Sequence, residues 1–264
     1  MIDVHCHLLP GIDDGPATMA ESIELARLAV RNGITHAVAT PHIHAGRWNN
    51  DRLGIERLAR QFRQELRRAG VRLLVAAAAE VRLDAAILNW VEQDKLPFLG
   101  EYKGRRVLLL ELPHGRIPLG TDNLTQWLLQ RNIQPLIAHP ERNKDVIRKL
   151  DKLRPLIKQG CLFQLTSGAV AGQFGEPARQ RARELLDLGA VHVIASDAHN
   201  KGPRPPDLAI GRDAASEVVG PELALKMVTT HPWQLTCRQF DNLEAEDSLH
   251  NNFTAHDFTS RRCS

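Results

Sequence analysis

The sequence lacks the features that define several large classes of protein. No apolar run reaches the roughly 18 residues that a membrane span needs, so we expect no membrane-spanning helix. The first ten residues contain neither the basic nor the apolar region of a secretory signal, and we expect none. Lys and Arg outnumber Asp and Glu by only 34 to 31, a formal charge of +3. That excess is too small to indicate the basic face of a nucleic-acid-binding protein.

Cysteine and tyrosine are also scarce, with four residues and one residue in a chain of 264. The cysteines are widely spaced and do not resemble the disulfide framework of a small secreted domain. We interpret all four as reduced thiols and predict a cytoplasmic protein. The rest of the composition, 43% hydrophobic and 25% charged, is that of a globular protein with a sizeable core.

Several catalytic motifs are absent as well. No cysteine is followed by an arginine six residues later, so the phosphate loop of the cysteine phosphatases is missing. The sequence contains no G-x-x-x-x-G-K-[ST] loop, no G-x-S-x-G elbow and no G-x-G-x-x-G fingerprint. We therefore expect no covalent intermediate on cysteine or serine.

The sequence does contain a regular alternation of short apolar runs and amphipathic stretches. The runs predict buried parallel strands at residues 1–5, 34–40, 72–79, 106–110, 133–138, 161–165 and 191–195. Thr18 and Glu21 form a capping box that predicts a helix ending before Gly33. Seven such alternations indicate an α/β fold, either a (β/α) barrel or an open doubly wound sheet. We assign residues 1–240 to one domain and residues 241–264 to a polar, aperiodic tail whose composition is typical of disorder.

Potential metal ligands follow six of the predicted strands. They are His5, His7, His42, Glu80, Glu111, His139, Asp197 and His199. Active sites of α/β barrels and open sheets are built at these carboxyl ends. Residues two apart point the same way in an extended segment, so His5 and His7 project together, and so do Asp197 and His199.

This set combines imidazole and carboxylate groups without a pair of thiolates. Such ligands suit Zn, Mn or Fe and argue against a structural cysteine-type zinc site. In the turn-rich segment 10–16, Asp13 and Asp14 either form the turn or place a carboxylate over the metal face, and we count Asp14 as a ninth ligand. Nine ligands exceed the needs of one ion, so we predict two or three metals that share a bridging carboxylate.

Other polar residues near these positions have separate expected roles. Arg142 and Arg204 lie in loops just beyond His139 and His199, and we predict that they bind phosphate. His44 is expected to support a ligand or to lie on the rim of the site. We expect structural roles for the remaining histidines, which are His36, His114, His192, His231, His250 and His256.

The segments MIDVHCHLLPGIDDGP, TPHIH, AAAEV, LLLEL, IAHPER and IASDAHN, followed by GPRPP, together resemble the PHP-type (polymerase and histidinol phosphatase) metal hydrolases. Within that group the chain is similar to the bacterial manganese-dependent protein-tyrosine phosphatases of capsule and exopolysaccharide operons, from residue 1 to about residue 232. The resemblance implies a distorted (β/α)7 TIM-like barrel with its metal site at the carboxyl ends of the strands. It also implies hydrolysis by a metal-activated hydroxide without a covalent intermediate.

The resemblance further implies a distribution of ligands and a set of partners. His5, His7, Glu80 and Asp197 would hold one metal, Glu80 would bridge to a second metal on Glu111 and His139, and Asp14, His42 and His199 would hold a third. Mn²⁺ is the expected ion, two or three per chain, with Fe, Zn or Co as alternatives. The implied substrate is a phosphotyrosine protein, a membrane tyrosine autokinase, with no nucleic-acid partner and no direct membrane insertion.

Two other functions stay open at this point. A small-molecule phosphatase of the histidinol-phosphatase type would use the same metals, and a non-catalytic metal-binding regulator would need no substrate site. An open, shallow site with a basic rim would favour a protein substrate, and Arg47 and Trp48 would form such a rim. The complete ligand set and both arginines argue against the regulator. A PHP-type nuclease is disfavoured because the chain has no basic stripe.

Overall fold

Strands and helices alternate along the chain in a computed structural model that describes residues 1–250, with the side chains of residues 1–243. The strands in this range are β1 (Ile2–Cys6), β2 (His36–Ala39), β3 (His42–Ile43), β4 (Leu74–Ala77), β5 (Glu80–Arg82), β6 (Gly100–Tyr102), β7 (Arg105–Glu111), β8 (Ile133–Ala138), β9 (Leu162–Thr166) and β10 (Val193–Ala195). The α-helices are α1 (Met19–Arg31), α2 (Arg52–Arg68), α3 (Ile87–Glu92), α4 (Thr121–Gln130), α5 (Lys144–Arg148), α6 (Arg154–Lys158), α7 (Ser167–Val170), α8 (Glu176–Asp187), α9 (Ala209–Val219), α10 (Pro221–Met227) and α11 (Thr230–His250). Two 3₁₀ helices, Pro140–Arg142 and Leu150–Leu153, follow β8 and α5.

The strands form two parallel sheets. One has the order β1-β2-β4 and the other the order β10-β9-β8-β7-β5-β3, with β6 antiparallel to β7. β4 and β5 follow each other directly, and β4 pairs with β2 whereas β5 pairs with β7. A β-bridge between Cys6 and Ala198 brings the first strand to the segment after the last. The predicted α/β fold is confirmed, and each of the seven predicted strands is present.

Capping residues explain where the first two helices begin, and short length explains why the apolar pattern missed three strands. Thr18 caps α1, because its hydroxyl accepts a hydrogen bond from the Glu21 backbone N–H at 3.3 Å and Glu21 Oε2 accepts one from the Thr18 N–H at 3.3 Å. Asp51 caps α2 by accepting a bond from the Gly54 N–H at 2.8 Å. β3, β5 and β6 are two or three residues long, too short to produce an apolar run.

Alternate strand residues contribute to two different hydrophobic clusters. Val4, Val107 and Leu109 belong to an interior cluster, whereas Leu108 and Leu110 belong to the cluster that packs against the helices. Both sets are buried. This arrangement explains why the strands read as continuous apolar runs, since both faces of the parallel sheet are covered.

Helix α11 closes the interior cluster at the end where the strands begin. Its Leu235 and Phe240 are buried among the interior strand residues, and the Phe240 ring packs edge-on against His36 at 4.9 Å between centroids. Gly100 in β6 lies so close to α11 that a Cβ there would be 2.2 Å from the Leu235 carbonyl oxygen. α11 continues to His250, while residues 251–264 of the predicted tail lie outside the described residues. The tail boundary at residue 241 therefore stays a prediction.

Replacing Phe240 by alanine is expected to lower the free energy of unfolding by about 3–5 kcal/mol, because the change leaves a cavity in the interior cluster. Phe240 is only 2% exposed, whereas Leu225 on α10 is 48% exposed and provides the matched control. Urea denaturation followed by circular dichroism measures both variants. Leu225→Ala should change the free energy by less than about 0.5 kcal/mol. Equal effects of the two substitutions would contradict a core role for α11.

Two of the four cysteines, Cys6 and Cys161, are buried free thiols, as the sequence predicts. Cys263 lies outside the described residues, so the prediction of reduced thiols stays a prediction for Cys237 and Cys263. Among residues 1–250, no helix combines the length and the apolarity that crossing a bilayer requires.

Candidate metal centre

The nine predicted ligands meet at the carboxyl ends of the strands. His5 and His7 lie at the end of β1, Asp14 in the loop that follows, His42 in β3, Glu80 in β5, Glu111 at the end of β7, His139 just after β8, and Asp197 and His199 just after β10. Parallel strands bring these ends to one edge of the fold. Eight of the nine side chains are buried or half-buried, and Asp14 is the exposed one.

One group of ligand atoms consists of His5, His7, Glu80 and Asp197, all buried. The Nε2 atom of His5 lies 3.3 Å from both Glu80 Oε2 and Asp197 Oδ1. The Nε2 atom of His7 lies 3.4 Å from the same two oxygens. Two imidazole nitrogens and two carboxylate oxygens therefore converge on one point, which is the donor set of a divalent transition metal.

A second group joins Asp14 to His7, His42 and His199. Asp14 Oδ1 lies 3.3 Å from His42 Nε2 and 3.2 Å from His199 Nε2. The ring centroids of His7 and His199 are 3.8 Å apart, so this group adjoins the first. The three residues that the family resemblance assigns to a third metal therefore lie together, with His7 beside them.

A third group consists of Glu111, Glu80 and His42. His139, which the family resemblance places with Glu111 at a metal bridged by Glu80, has its Nε2 atom 2.7 Å from Glu80 Oε1. Glu111 is also held by Arg82, whose Nη1 lies 2.6 Å from Glu111 Oε1. Glu80 contacts ligands of all three groups, as the predicted bridging carboxylate would.

Several ligand atoms are buried without a hydrogen-bond partner among the described residues. They are Glu80 Oε2, Asp197 Oδ1, His42 Nδ1 and His199 Nε2. His42 Nδ1 and Glu80 Oε2 are 3.0 Å apart, but their geometry is not that of a hydrogen bond. An unsatisfied buried polar atom costs about 1–3 kcal/mol, so four in one cluster call for cations as their partners. The residues present fit divalent metal ions.

The charges of the cluster point to the same conclusion. Burial alone would raise the pKa of Glu80, but the imidazoles of His5 and His42 hold that pKa well below its usual value. Burial likewise opposes a charged imidazole at His42, yet Glu80 and Asp14 raise the His42 pKa to about 9. Glu80 is therefore ionised at neutral pH, and His42 must release a proton when a cation binds.

Three ligand imidazoles are oriented by partners on their second nitrogen. His5 Nδ1 lies 2.9 Å from Gln164 Oε1, His7 Nδ1 lies 2.7 Å from Asp13 Oδ2, and His199 Nδ1 lies 2.9 Å from the Asp197 carbonyl oxygen. Each contact leaves Nε2 facing the cluster. The sequence analysis missed Gln164, although a polar residue inside a buried strand was a usable signal. For Asp13 it left two roles open, one in forming the turn and one as a carboxylate over the metal face.

Asp13 is the partner whose removal gives the clearest prediction. Besides His7, it accepts bonds from the Gly15 N–H at 2.9 Å and the His42 N–H at 3.0 Å. Asp13→Asn is therefore expected to weaken metal binding about 10- to 100-fold, because His7 loses the carboxylate that orients its ring. Competition with a fluorescent chelator measures the affinity. Asp84→Asn is the control, and an unchanged affinity in Asp13→Asn would contradict the assignment.

Two of the ligands have unusual backbone conformations. His139 and Asp197 have φ angles of 32° and 53°, in the left-handed region that non-glycine residues rarely occupy. Such strain persists only where the surrounding structure holds it, and it is frequent at functional sites. Here it turns both side chains into the cluster directly after their strands.

The two predicted phosphate-binding arginines meet at one ligand. Arg142 Nη1 and Arg204 Nη2 both donate to Asp197 Oδ2, Arg204 at 2.7 Å. The other oxygen of Asp197 faces His5 and His7. The Arg142 guanidinium also lies 4.5 Å from the ring centre of Phe174. Two fixed positive charges therefore border the first group of ligands.

His44 and the other histidines lie outside the ligand groups. The His44 ring is 6.2 Å from Trp48 on the rim, and partial burial together with Arg82 and Arg47 lowers the His44 pKa. His36, His114, His192 and His231 contribute to none of the groups found among the described residues. His250 and His256 fall where the structure describes no side chains.

Comparison with known proteins relates this site to a family. Residues 1–236 match the family described as "Capsular polysaccharide synthesis, CpsB/CapC". The chain is 36% identical over 200 residues to the tyrosine-protein phosphatase YwqE of Bacillus subtilis, covering 76% of this chain and 78% of that protein. It is 30% identical over 248 residues to the tyrosine-protein phosphatase CpsB of Streptococcus pneumoniae, covering 90% and 99%.

Solved structures show the same relationship. A structure described with YwqE and CpsB as "unique metal-dependent tyrosine phosphatases" superposes with a TM-score of 0.82 at 31% identity, covering 89% of this chain and 94% of that one. The phosphotriesterase homology protein of Escherichia coli superposes with a TM-score of 0.53 at 12% identity, covering 89% and 97%. At that identity the second likeness concerns the fold alone.

Proposed function

The chain belongs to the CpsB/CapC family, and on this basis we propose that it is a metal-dependent protein-tyrosine phosphatase. The observation that carries the proposal is the convergence of buried imidazole and carboxylate atoms beside two arginines. The relatives named as tyrosine-protein phosphatases align with most of this chain.

His5, His7, Glu80 and Asp197 would hold one ion, and Asp14, His42 and His199 would hold another. Glu80, Glu111 and His139 would complete a third position. Mn²⁺ is the ion that we propose, two or three per chain, with Fe, Zn or Co as alternatives. When bound, such ions lower the pKa of water toward about 7 and neutralise charge on phosphoryl oxygens.

The protein's own residues bind and orient the phosphate. Arg142 and Arg204 would bind phosphoryl oxygens through the paired N–H groups of their guanidiniums. The leaving tyrosine has a pKa near 10, so it departs more readily than an alkyl alcohol and needs less help from an acid. Cys6 is fully buried and donates to the Val38 carbonyl oxygen, so it is not available as a nucleophile.

We propose a protein rather than a small molecule as the substrate. The relatives that align with most of this chain are named tyrosine-protein phosphatases. The exposed Arg47 and the half-buried Trp48, at the edge of the site, would contact a polypeptide that presents the phosphotyrosine. The proposed physiological substrate is phosphotyrosine on a bacterial tyrosine autokinase that regulates capsule or exopolysaccharide synthesis, on the cytoplasmic side of the membrane.

Phosphate release from three substrates tests this proposal. We expect the Mn²⁺-loaded protein to hydrolyse a phosphotyrosine peptide, with at least tenfold lower kcat/KM on the matching phosphoserine peptide and on histidinol phosphate. Preference for histidinol phosphate would instead support the small-molecule phosphatase. Hydrolysis of none of the three, by protein that retains its metals, would support a non-catalytic regulator.

A further inference from the structure

Beside the metal centre, a short loop carries two side chains that the proposed mechanism does not use, Arg47 and Trp48, and Trp48 stacks on the candidate ligand His42. The Trp48 ring lies parallel to the His42 ring, with 4.6 Å between centroids and 11° between planes. The Arg47 guanidinium lies 3.9 Å from the centre of the Trp48 ring. At the edge of the site, the Arg47 guanidinium therefore lies on the Trp48 indole, and the indole lies on the His42 imidazole.

The loop that carries this stack is fixed by its own hydrogen bonds. His44 and Trp48 exchange two backbone bonds of 2.9 Å, which close a tight hairpin with Gly46 at a φ of 76°. The Asn50 side chain donates to the carbonyl oxygens of Ile12 at 2.9 Å and His42 at 2.8 Å. Arg47 is thus held near the metal centre rather than on a free surface segment.

The charge of Arg47 has no acidic partner among the described residues. Arg47 is exposed, and its guanidinium lies over the Trp48 ring. Arg82, two residues after Glu80 in β5, adds a second guanidinium that acts on His44 together with Arg47, although Glu111 already pairs with it. This edge of the site therefore presents positive charge to whatever lies beside the phosphate.

We propose that Arg47 selects phosphotyrosine substrates with acidic residues next to the phosphotyrosine. The inference rests on the proposed phosphatase function and adds the class of sequence that the site prefers. Trp48 holds the guanidinium through a cation–π contact and braces His42. An Asp or Glu one to three residues from the phosphotyrosine would reach Arg47, because extended peptides advance about 3.3–3.6 Å per residue.

Two phosphotyrosine peptides of equal length test the proposal, one with glutamates flanking the phosphotyrosine and one with glutamines. The ratio of their kcat/KM values is the quantity measured. We expect the unchanged protein to favour the acidic peptide about three- to fivefold at low salt, through KM, and to lose the preference at high salt. Arg47→Gln should bring the ratio near one, and Arg47→Glu should invert it.

Arg57→Gln, an exposed arginine of α2, is the matched control and should leave the ratio unchanged. Fluorescence anisotropy with peptides that carry a non-hydrolysable phosphonate gives a second readout and should show the same order of affinities. Hydrolysis of both peptides with equal ratios in the unchanged protein and in Arg47→Glu would overturn the inference alone. Discrimination in binding without hydrolysis of either peptide would overturn the proposed function and leave the role of Arg47 standing.

Discussion

Glutamine in place of Glu80 is expected to lower kcat/KM for a phosphotyrosine peptide by more than about a thousandfold. A single oxygen of Glu80 lies 3.3 Å from His5 Nε2, 3.4 Å from His7 Nε2 and 3.0 Å from His42 Nδ1, and its other oxygen lies 2.7 Å from His139 Nε2. Removal of an orienting partner typically costs 10- to 100-fold. Glu80 belongs to two of the three ligand groups and contacts His7 and His42 of the remaining one, so loss of its carboxylate should cost more. The volume of the side chain hardly changes.

Two measurements separate this loss from unfolding. Metal content by mass spectrometry should fall in Glu80→Gln, while far-ultraviolet circular dichroism should stay the same. Glu92→Gln, on the exposed side of α3, is the control and should keep full metal content and activity. An active Glu80→Gln variant with its metals in place would contradict the bridging role.

Alanine in place of Arg142 or Arg204 is expected to lower kcat/KM about 100- to 1,000-fold each, the usual effect of removing one fixed donor to a developing negative charge. Both guanidinium groups donate to the same oxygen of Asp197. Their effects should therefore not be independent, and the double variant should lose less than the product of the two single losses. Steady-state kinetics on the three variants measures this coupling.

Inhibition by inorganic phosphate provides a second measure for the arginines, because a residue that binds phosphoryl oxygens should affect product binding too. Arg148→Ala, whose side chain is 72% exposed, is the control. Single variants with unchanged kcat/KM would contradict the phosphate-binding role. Loss of metal content in Arg142→Ala would instead indicate that this residue acts by orienting Asp197.

The sequence alone could predict that the candidate ligands meet in space, because a rule about strands and a rule about sheets lead to the same edge of the fold. Continuous apolar runs mark buried parallel strands, and the carboxyl ends of such strands meet at one edge. His5, His139 and Asp197 follow such runs directly, so their meeting in space required no knowledge of the loops. The same rules do not say which side chains orient the imidazoles. Gln164 has that role because β9 brings it to His5, and Asp13 has it because the loop after β1 folds back to His7.

Other features had no local signal at all. The grouping of Glu111 with His42 depends on the pairing of β3 with β5 and of β5 with β7, and β3 and β5 are too short to leave a pattern. The role of α11 in the core depends on Leu235 and Phe240, which lie in a helix with little amphipathic pattern. The polar residues from 241 onward look like a tail in the sequence, although α11 continues to His250.

Hydrolysis of phosphotyrosine by this protein should depend on bound metal ions. The protein is stripped with a chelator, and phosphate release from a phosphotyrosine peptide is measured without metal and after addition of Mn²⁺, with the bound ions counted by mass spectrometry. We expect no release from the stripped protein and restored release as two or three ions bind per chain. Equal release by the stripped protein, with no metal bound, would contradict this expectation.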